Sequence, residues 1–172
     1  FALKMMRIAL ELSLHDPVYQ DLAAKFFLHF LEIAAAMTSV ANSGVGLWDE
    51  QSEFYFDTLV GPKGEVHPLR IVSLVGLIPL LAVETIEPEM LDRLPEFKET
   101  VERTLSEQPE MAKLVSRWSE PGRGERRLLS LLRGHRMKCL FKEAFDEGRM
   151  FAYRTSASTP TESRKAADAA RT

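Results

Sequence analysis

A single cysteine, Cys139, stands in a chain of 172 residues, so no internal disulfide can form, and a lone thiol fits a reducing compartment. No stretch reaches the ~20 apolar residues of a membrane-spanning helix. The longest candidate, Leu69 to Glu84, is broken by Arg70, Ser73 and Pro79. No secretory signal is visible, and together these absences lead us to expect a cytoplasmic protein. The net charge is only −3, which excludes a global bias toward nucleic acid or anionic lipid. His15, His29, His67 and His135 fall in separate segments with neither H-x-x-x-H nor H-x-x-E-H spacing, so no metal site and no cofactor is expected. Gly122-x-Gly124 lacks a third glycine and a preceding strand, which excludes a dinucleotide loop. No repeat of tetratricopeptide or ankyrin type is evident. There is no initiator methionine, and no capping residue precedes the helical pattern that begins at Phe1, so the chain reads as cut inside or just before a helix.

What remains is ordinary for a globular domain. Apolar residues make up 45% and charged residues 27%, enough for one real core. Phe1 to Leu14 is apolar on nearly every side and predicts a helix buried all round. Asp16-Pro17 restarts the chain as a cap and first helical turn. Leu22, Phe26, Phe30, Ile33 and Met37 then recur at helical spacing and predict one apolar face. Leu47 to Pro68 has no helical period and reads as a long ordered loop with a hairpin around Gly61-Pro62-Lys63-Gly64. Leu69 to Thr85 predicts a second buried helix, kinked at Pro79. Pro95–Glu107, Glu110–Trp118 and Glu125–Glu147 predict further helices, the last bent near Gly134. From Arg149 to Thr172 the chain is small, polar and without period, and disorder is expected. Alternating buried and amphipathic helices are what an α/α toroid requires.

The long loop carries the chemistry. Trp48 and Tyr55 can present ring faces to the C–H face of a pyranose. Asp49, Asp57 and Arg70 can hydrogen-bond sugar hydroxyls or fix one another. A purely structural role stays open for each: the rings can plug the loop onto the fold, and Asp57 can pair with Arg70. Arg123, Arg126, Arg127, Arg133, Arg136 and Lys138 read as a solvated basic face partnering Glu120, Glu125 and Glu143. Cys139, among Met137, Leu140 and Phe141, reads as a small core residue.

The run Gly46-Leu47-Trp48-Asp49-Glu50-Gln51-Ser52-Glu53-Phe54-Tyr55-Phe56-Asp57 resembles the W-[DN]-E-x-x-x-F-Y-x-D loop of trehalase-like six-hairpin glycosidases. Arg70 to Ala82, Leu94-Pro95-Glu96-Phe97 and Glu120 to Leu132 continue the likeness in order. The chain is most similar to glycoside hydrolase family 63, in the group related to mannosylglycerate hydrolase and processing α-glucosidase. This resemblance covers Phe1 to about Asp146. It implies an all-α, incomplete (α/α)6 toroid over residues 1–148, followed by a tail over 149–172. It implies inverting hydrolysis of an α-linked glycoside by an Asp acid and a Glu base, with no metal needed for the chemistry. Neither carboxylate has a matching position here, so no catalytic residue is assigned. Trp48, Asp49, Tyr55, Asp57 and Arg70 are the expected substrate-binding residues, and the expected partners are a carbohydrate and either the remainder of the barrel or a second copy. The alternative is a self-standing α-helical interaction module without catalysis. A truncated barrel should aggregate, whereas a module should melt cooperatively as a defined species.

Overall fold

Two helices near the N-terminus carry the main core. The structure, a computed structural model, describes residues 1–40, 43–114, 118 and 120–146. Helix α1 (Ala2–Ser13) buries Ala2, Leu3, Met6, Ala9, Leu10 and Ser13, a spacing of three and four that defines one face. Ile8 and Leu12 are exposed, so α1 is amphipathic rather than buried all round. Asp16 Oδ1 accepts the Val18 N–H at 3.1 Å as the chain turns into α2 (Tyr19–Thr38).

Helix α2 packs along α1 through Ala23, Ala24, Phe27, Phe30, Leu31 and Ala34. Of the expected stripe only Phe30 is buried, while Leu22 and Ile33 are exposed. The helix is apolar on two stripes, and the one with three alanines wins because small side chains let two helices approach closely.

The loop after α2 is two hairpins. Strand β1 (Trp48–Asp49) pairs antiparallel with β2 (Phe54–Tyr55), placing Trp48 opposite Tyr55. Strand β3 (Asp57–Val60) pairs with β4 (Val66–Leu69), Asp57 opposite Leu69. The second turn falls at the expected glycines: Gly61 N–H donates to Glu65 O at 2.8 Å, and Gly64 takes φ +83°, a conformation that glycine adopts without strain.

Residues 69–85 do not form a buried helix. Leu74–Leu81 is a short 3₁₀ helix whose Leu74 and Leu81 are about three-quarters exposed, at 73% and 75%. Pro79 has no N–H to continue an α-helix, and Gly76 disfavours one. The chain then extends as β5 (Val83–Ile86), where β-branched Val83, Thr85 and Ile86 suit a strand. Its partner comes from a segment expected to be helical: β6 (Arg127–Ser130) runs antiparallel to it, Val83 opposite Ser130 and Ile86 opposite Arg127.

Helices α3 (Pro88–Arg93), α4 (Pro95–Glu107) and α5 (Pro109–Ala112) each begin with a proline, whose missing N–H costs nothing in the first turn. Helix α4 has the expected bounds. Helix α5 ends early; residues 115–117 of the longer expected helix lie outside the described residues. Helix α6 (Gly134–Ala144) closes the described chain. The expected tail over 149–172 also lies outside it.

The all-α toroid is therefore overturned: among the described residues, helices are combined with three two-stranded antiparallel sheets. Leu129 and Ile86, both fully buried, show how the β5–β6 ribbon enters the α1–α2–α4 core. A second, smaller core gathers Phe54, Tyr55, Phe56, Leu132 and Leu140 between the first hairpin and α6. Among the described residues, no helix is long and apolar enough to cross a membrane.

Candidate functional site

The first hairpin is held by a carboxylate at its turn. Asp49 Oδ1 accepts the Ser52 N–H at 2.7 Å, and Asp49 Oδ2 accepts from Arg70 at 3.0 Å. The Ser52 hydrogen bonds, backbone first, hold the Asp49 carboxyl below the usual aspartate range, and the Arg70 guanidinium adds to this. Arg70 thus pairs with Asp49 and not with Asp57, which is exposed at the start of β3. The sequence could not choose between them, because residues 49 and 57 meet Arg70 only through the register of the two hairpins.

The sign of the Asp49 shift sets a pH response. A carboxylate whose folded pKa is depressed contributes stability above its unfolded value, and that contribution is lost as pH falls through the folded pKa. The Ser52 amide should therefore stay protected from exchange above about pH 4 and lose protection in more acid solution. Asp49→Asn should remove this pH dependence; protection that responds equally in both proteins would refute the assignment.

Trp48 and Tyr55 meet as cross-strand neighbours, with ring centroids 5.0 Å apart and planes at 66°. An edge-to-face pair of this kind contributes about 0.5–1.5 kcal/mol beyond its buried area. The Arg136 guanidinium sits over the Trp48 ring, 4.8 Å from its centroid, and also pairs with Glu50 at 3.2 Å. One face of the indole is thereby occupied within the protein. The Trp48 Nε1–H is buried without a hydrogen-bond partner among the described residues. Burial pushes the Tyr55 phenol up, against a hydrogen bond from Arg136.

The five expected substrate-binding residues do not converge on one cavity. Tyr55 lines a cleft of about 460 Å³ between the C-terminal half of α2, the first hairpin and the start of α6. Its other walls include Thr38, Glu50, Lys113, Arg133, His135 and Arg136. Trp48 and Asp49 line a separate depression of about 130 Å³ beside Pro68 and Thr58. Arg136 joins the two, touching Trp48 while lining the larger cleft.

Arg133 and Arg136 were visible in the sequence only as part of a basic face. In the structure Arg136 pairs with Glu50, and Arg126 pairs with Glu87 at 2.7 Å. Arg127 donates to the Trp118 carbonyl at 2.8 Å. His29 is exposed and meets Phe26 edge-on at 6.1 Å. Cys139 is buried, as a small core residue should be.

Comparison with curated proteins finds the uncharacterized protein YMR196W of Saccharomyces cerevisiae, 36% identical over 159 residues. The match takes in 86% of this chain, which spans about 14% of the length of that relative. No family model matches the chain. No solved structure matches it.

Proposed function

We propose that this chain is one wall of the sugar site of a glycoside hydrolase acting on α-linked substrates, and that it does not itself supply the acid–base pair. The observation that carries this reading is the cleft beside the aromatic–acidic hairpin. It sets one ring, Tyr55, among the hydrogen-bonding groups Thr38, Glu50, Arg133 and Arg136. A few convergent polar groups against an aromatic and aliphatic wall are what a sugar pocket needs. The likeness of Gly46 to Asp57 to the family 63 loop supports the same conclusion.

Among the described residues, one carboxylate, Glu50, lines the cleft. Inverting hydrolysis uses two, roughly 6.5–9.5 Å apart with water between them. Both the acid and the base then come from residues beyond this chain, and Glu50 serves the cleft as a hydrogen-bonding group. The cleft's cations, Lys113, Arg133 and Arg136, outnumber Glu50, which favours a glycoside bearing a carboxylate, the mannosylglycerate-hydrolase type, over a neutral glucoside. In this role Tyr55 meets the ring face, Arg136 orients the acid group, and Trp48, Asp49 and Arg70 brace the hairpin behind them. Asp57 stands at the exposed hairpin edge and supports β3.

The apolar face around Ile33, Leu74, Ile78 and Leu81 belongs, on this reading, against the rest of a larger enzyme, in line with a relative that continues far beyond the matched segment. An interaction module without catalysis would present the same face but has no use for the cleft. Titrating the chain with mannosylglycerate, glucosylglycerate and methyl α-glucoside separates the two. Expected are NMR perturbations at Tyr55 and Arg136, strongest for the carboxylated glycosides and at least tenfold weaker binding in Tyr55→Ala, with no hydrolysis by the chain alone. Trp48→Ala should weaken binding through loss of the Arg136 platform, and Asp57→Asn should change it little. Silence at Tyr55 with all three sugars would sink the proposal in favour of the module.

A further inference from the structure

At the edge of the cleft, which His135 also lines, one cluster of side chains has a chemistry of its own. Glu53 in the first hairpin, with His135 and Cys139 one turn apart on α6, offers three ligand-type atoms within 4.8 Å of one another. His135 Nε2 lies 3.4 Å from Glu53 Oε1 and 3.7 Å from Cys139 Sγ. Tetrahedral zinc with its usual bonds to N, O and S places neighbouring ligand atoms about 3.3–3.6 Å apart. The His135–Glu53 distance of 3.4 Å falls within that spacing, and the His135–Cys139 distance of 3.7 Å lies just beyond it. The carboxylate–sulfur edge can close by rotation of Glu53, whose side chain is 49% exposed.

The geometry points to a zinc site formed by Glu53, His135 and Cys139, in which the metal ties the tip of the first hairpin to helix α6. A catalytic Cys–His–Glu relay is the competing use of these residue types. A relay needs the imidazole to turn opposite nitrogens to the thiol and the carboxylate. Here Nε2 is the ring nitrogen nearer the sulfur, since Nδ1 is 4.0 Å away, and it is also the atom facing Glu53. One ring nitrogen near both the sulfur and the carboxylate suits a shared cation and does not suit a relay. The donor set selects the metal class: thiolate with imidazole favours zinc, while calcium and magnesium prefer all-oxygen sites.

Burial, with the nearby Glu53 carboxylate, pushes the Cys139 thiol up. On binding, the thiol passes its proton to solvent and the thiolate ligates zinc. Glu53 takes φ +52°, a left-handed conformation uncommon for a residue with a side chain.

The sequence contains the His135-x-x-x-Cys139 half of this site at helical spacing. The third ligand comes from a residue far away in the chain, which only the fold brings near.

The test is metal binding by the full 172-residue chain in reducing buffer, with Zn²⁺ by calorimetry and Co²⁺ as a spectroscopic stand-in. We expect one Zn²⁺ per chain, a rise in melting temperature with Zn²⁺ but not with Mg²⁺ or Ca²⁺, and a thiolate-to-cobalt charge-transfer band. Cys139→Ser should abolish that band. His135→Gln and Glu53→Gln, both at exposed side chains and so compatible with folding, should each weaken Zn²⁺ at least tenfold. Absence of stoichiometric Zn²⁺ binding, or binding that His135→Gln and Glu53→Gln leave unchanged while circular dichroism shows an intact fold, overturns the site. Neither outcome depends on whether the neighbouring cleft binds sugar.

Discussion

Gly76→Ala should destabilise the protein by about 1–3 kcal/mol, the usual cost of forcing extra volume into a packed core. The reason is local and geometric. A Cβ at position 76 would lie 2.2 Å from Phe54 Cε1 and 2.5 Å from the Tyr55 carbonyl oxygen. The ring could shift, but Phe54 is itself buried against Phe56, with centroids 5.4 Å apart. The carbonyl belongs to β2 and cannot move without disturbing the hairpin that bears Trp48 and Tyr55. Urea melts would show the loss. Pairing the change with Phe54→Leu should return part of it, because the smaller side chain vacates the contested space. If Gly76→Ala melts like the parent protein, the 3₁₀ segment does not seat against β2 as described.

Phe27→Ala should cost more, about 3–5 kcal/mol, the range for emptying a buried aromatic site. Phe27 is fully buried in the middle of α2, and its ring lies 6.4 Å from that of Trp118. It joins α1, α2 and the segment after α5, so its removal leaves a cavity that several rigid elements must close at once. Against a typical total stability of about 5–15 kcal/mol, this approaches unfolding. A fall in the thermal midpoint, read by helical circular dichroism, is the measurement. Phe26→Ala is the matched control: its ring is only partly buried, at the edge of the same core, and it should lose far less. Equal losses from the two would mean that the expected stripe, and not the observed one, faces α1. The two large substitutions lie in separate clusters, so their costs should add.

Several elements were readable from local chemistry. Asp16-Pro17 marks the turn that leads into α2, although the helix itself starts two residues later at Tyr19 with Val18 at its cap, and Pro95 together with the Phe97–Val101–Thr104 spacing gives α4 its bounds. The glycines at 61 and 64 mark the second hairpin turn. These are places where one residue's backbone preference, or one repeating face, decides the outcome. Residues 69–85 failed for the opposite reason. A continuous apolar run carries no period that separates helix from strand, and here it is neither a single helix nor buried. Arg127 to Ser130 failed because pairing with β5 overrode a helical pattern.

The candidate site divides in the same way. Residue type alone marked the aromatic–acidic segment, though not its folding into a hairpin, and helical spacing alone brings His135 over Cys139. Tertiary structure decided that Arg70 pairs with Asp49, that Arg136 covers Trp48, and that Glu53 reaches α6. It also decided that Tyr55 and Trp48 open toward different cavities. The sequence determined the local elements and the chemistry available to them, because turns, caps and helical faces depend on neighbours in the chain. Only the fold decided the alternative among equal stripes and equal charges, because that choice rests on contacts between residues distant in sequence, which no local preference encodes.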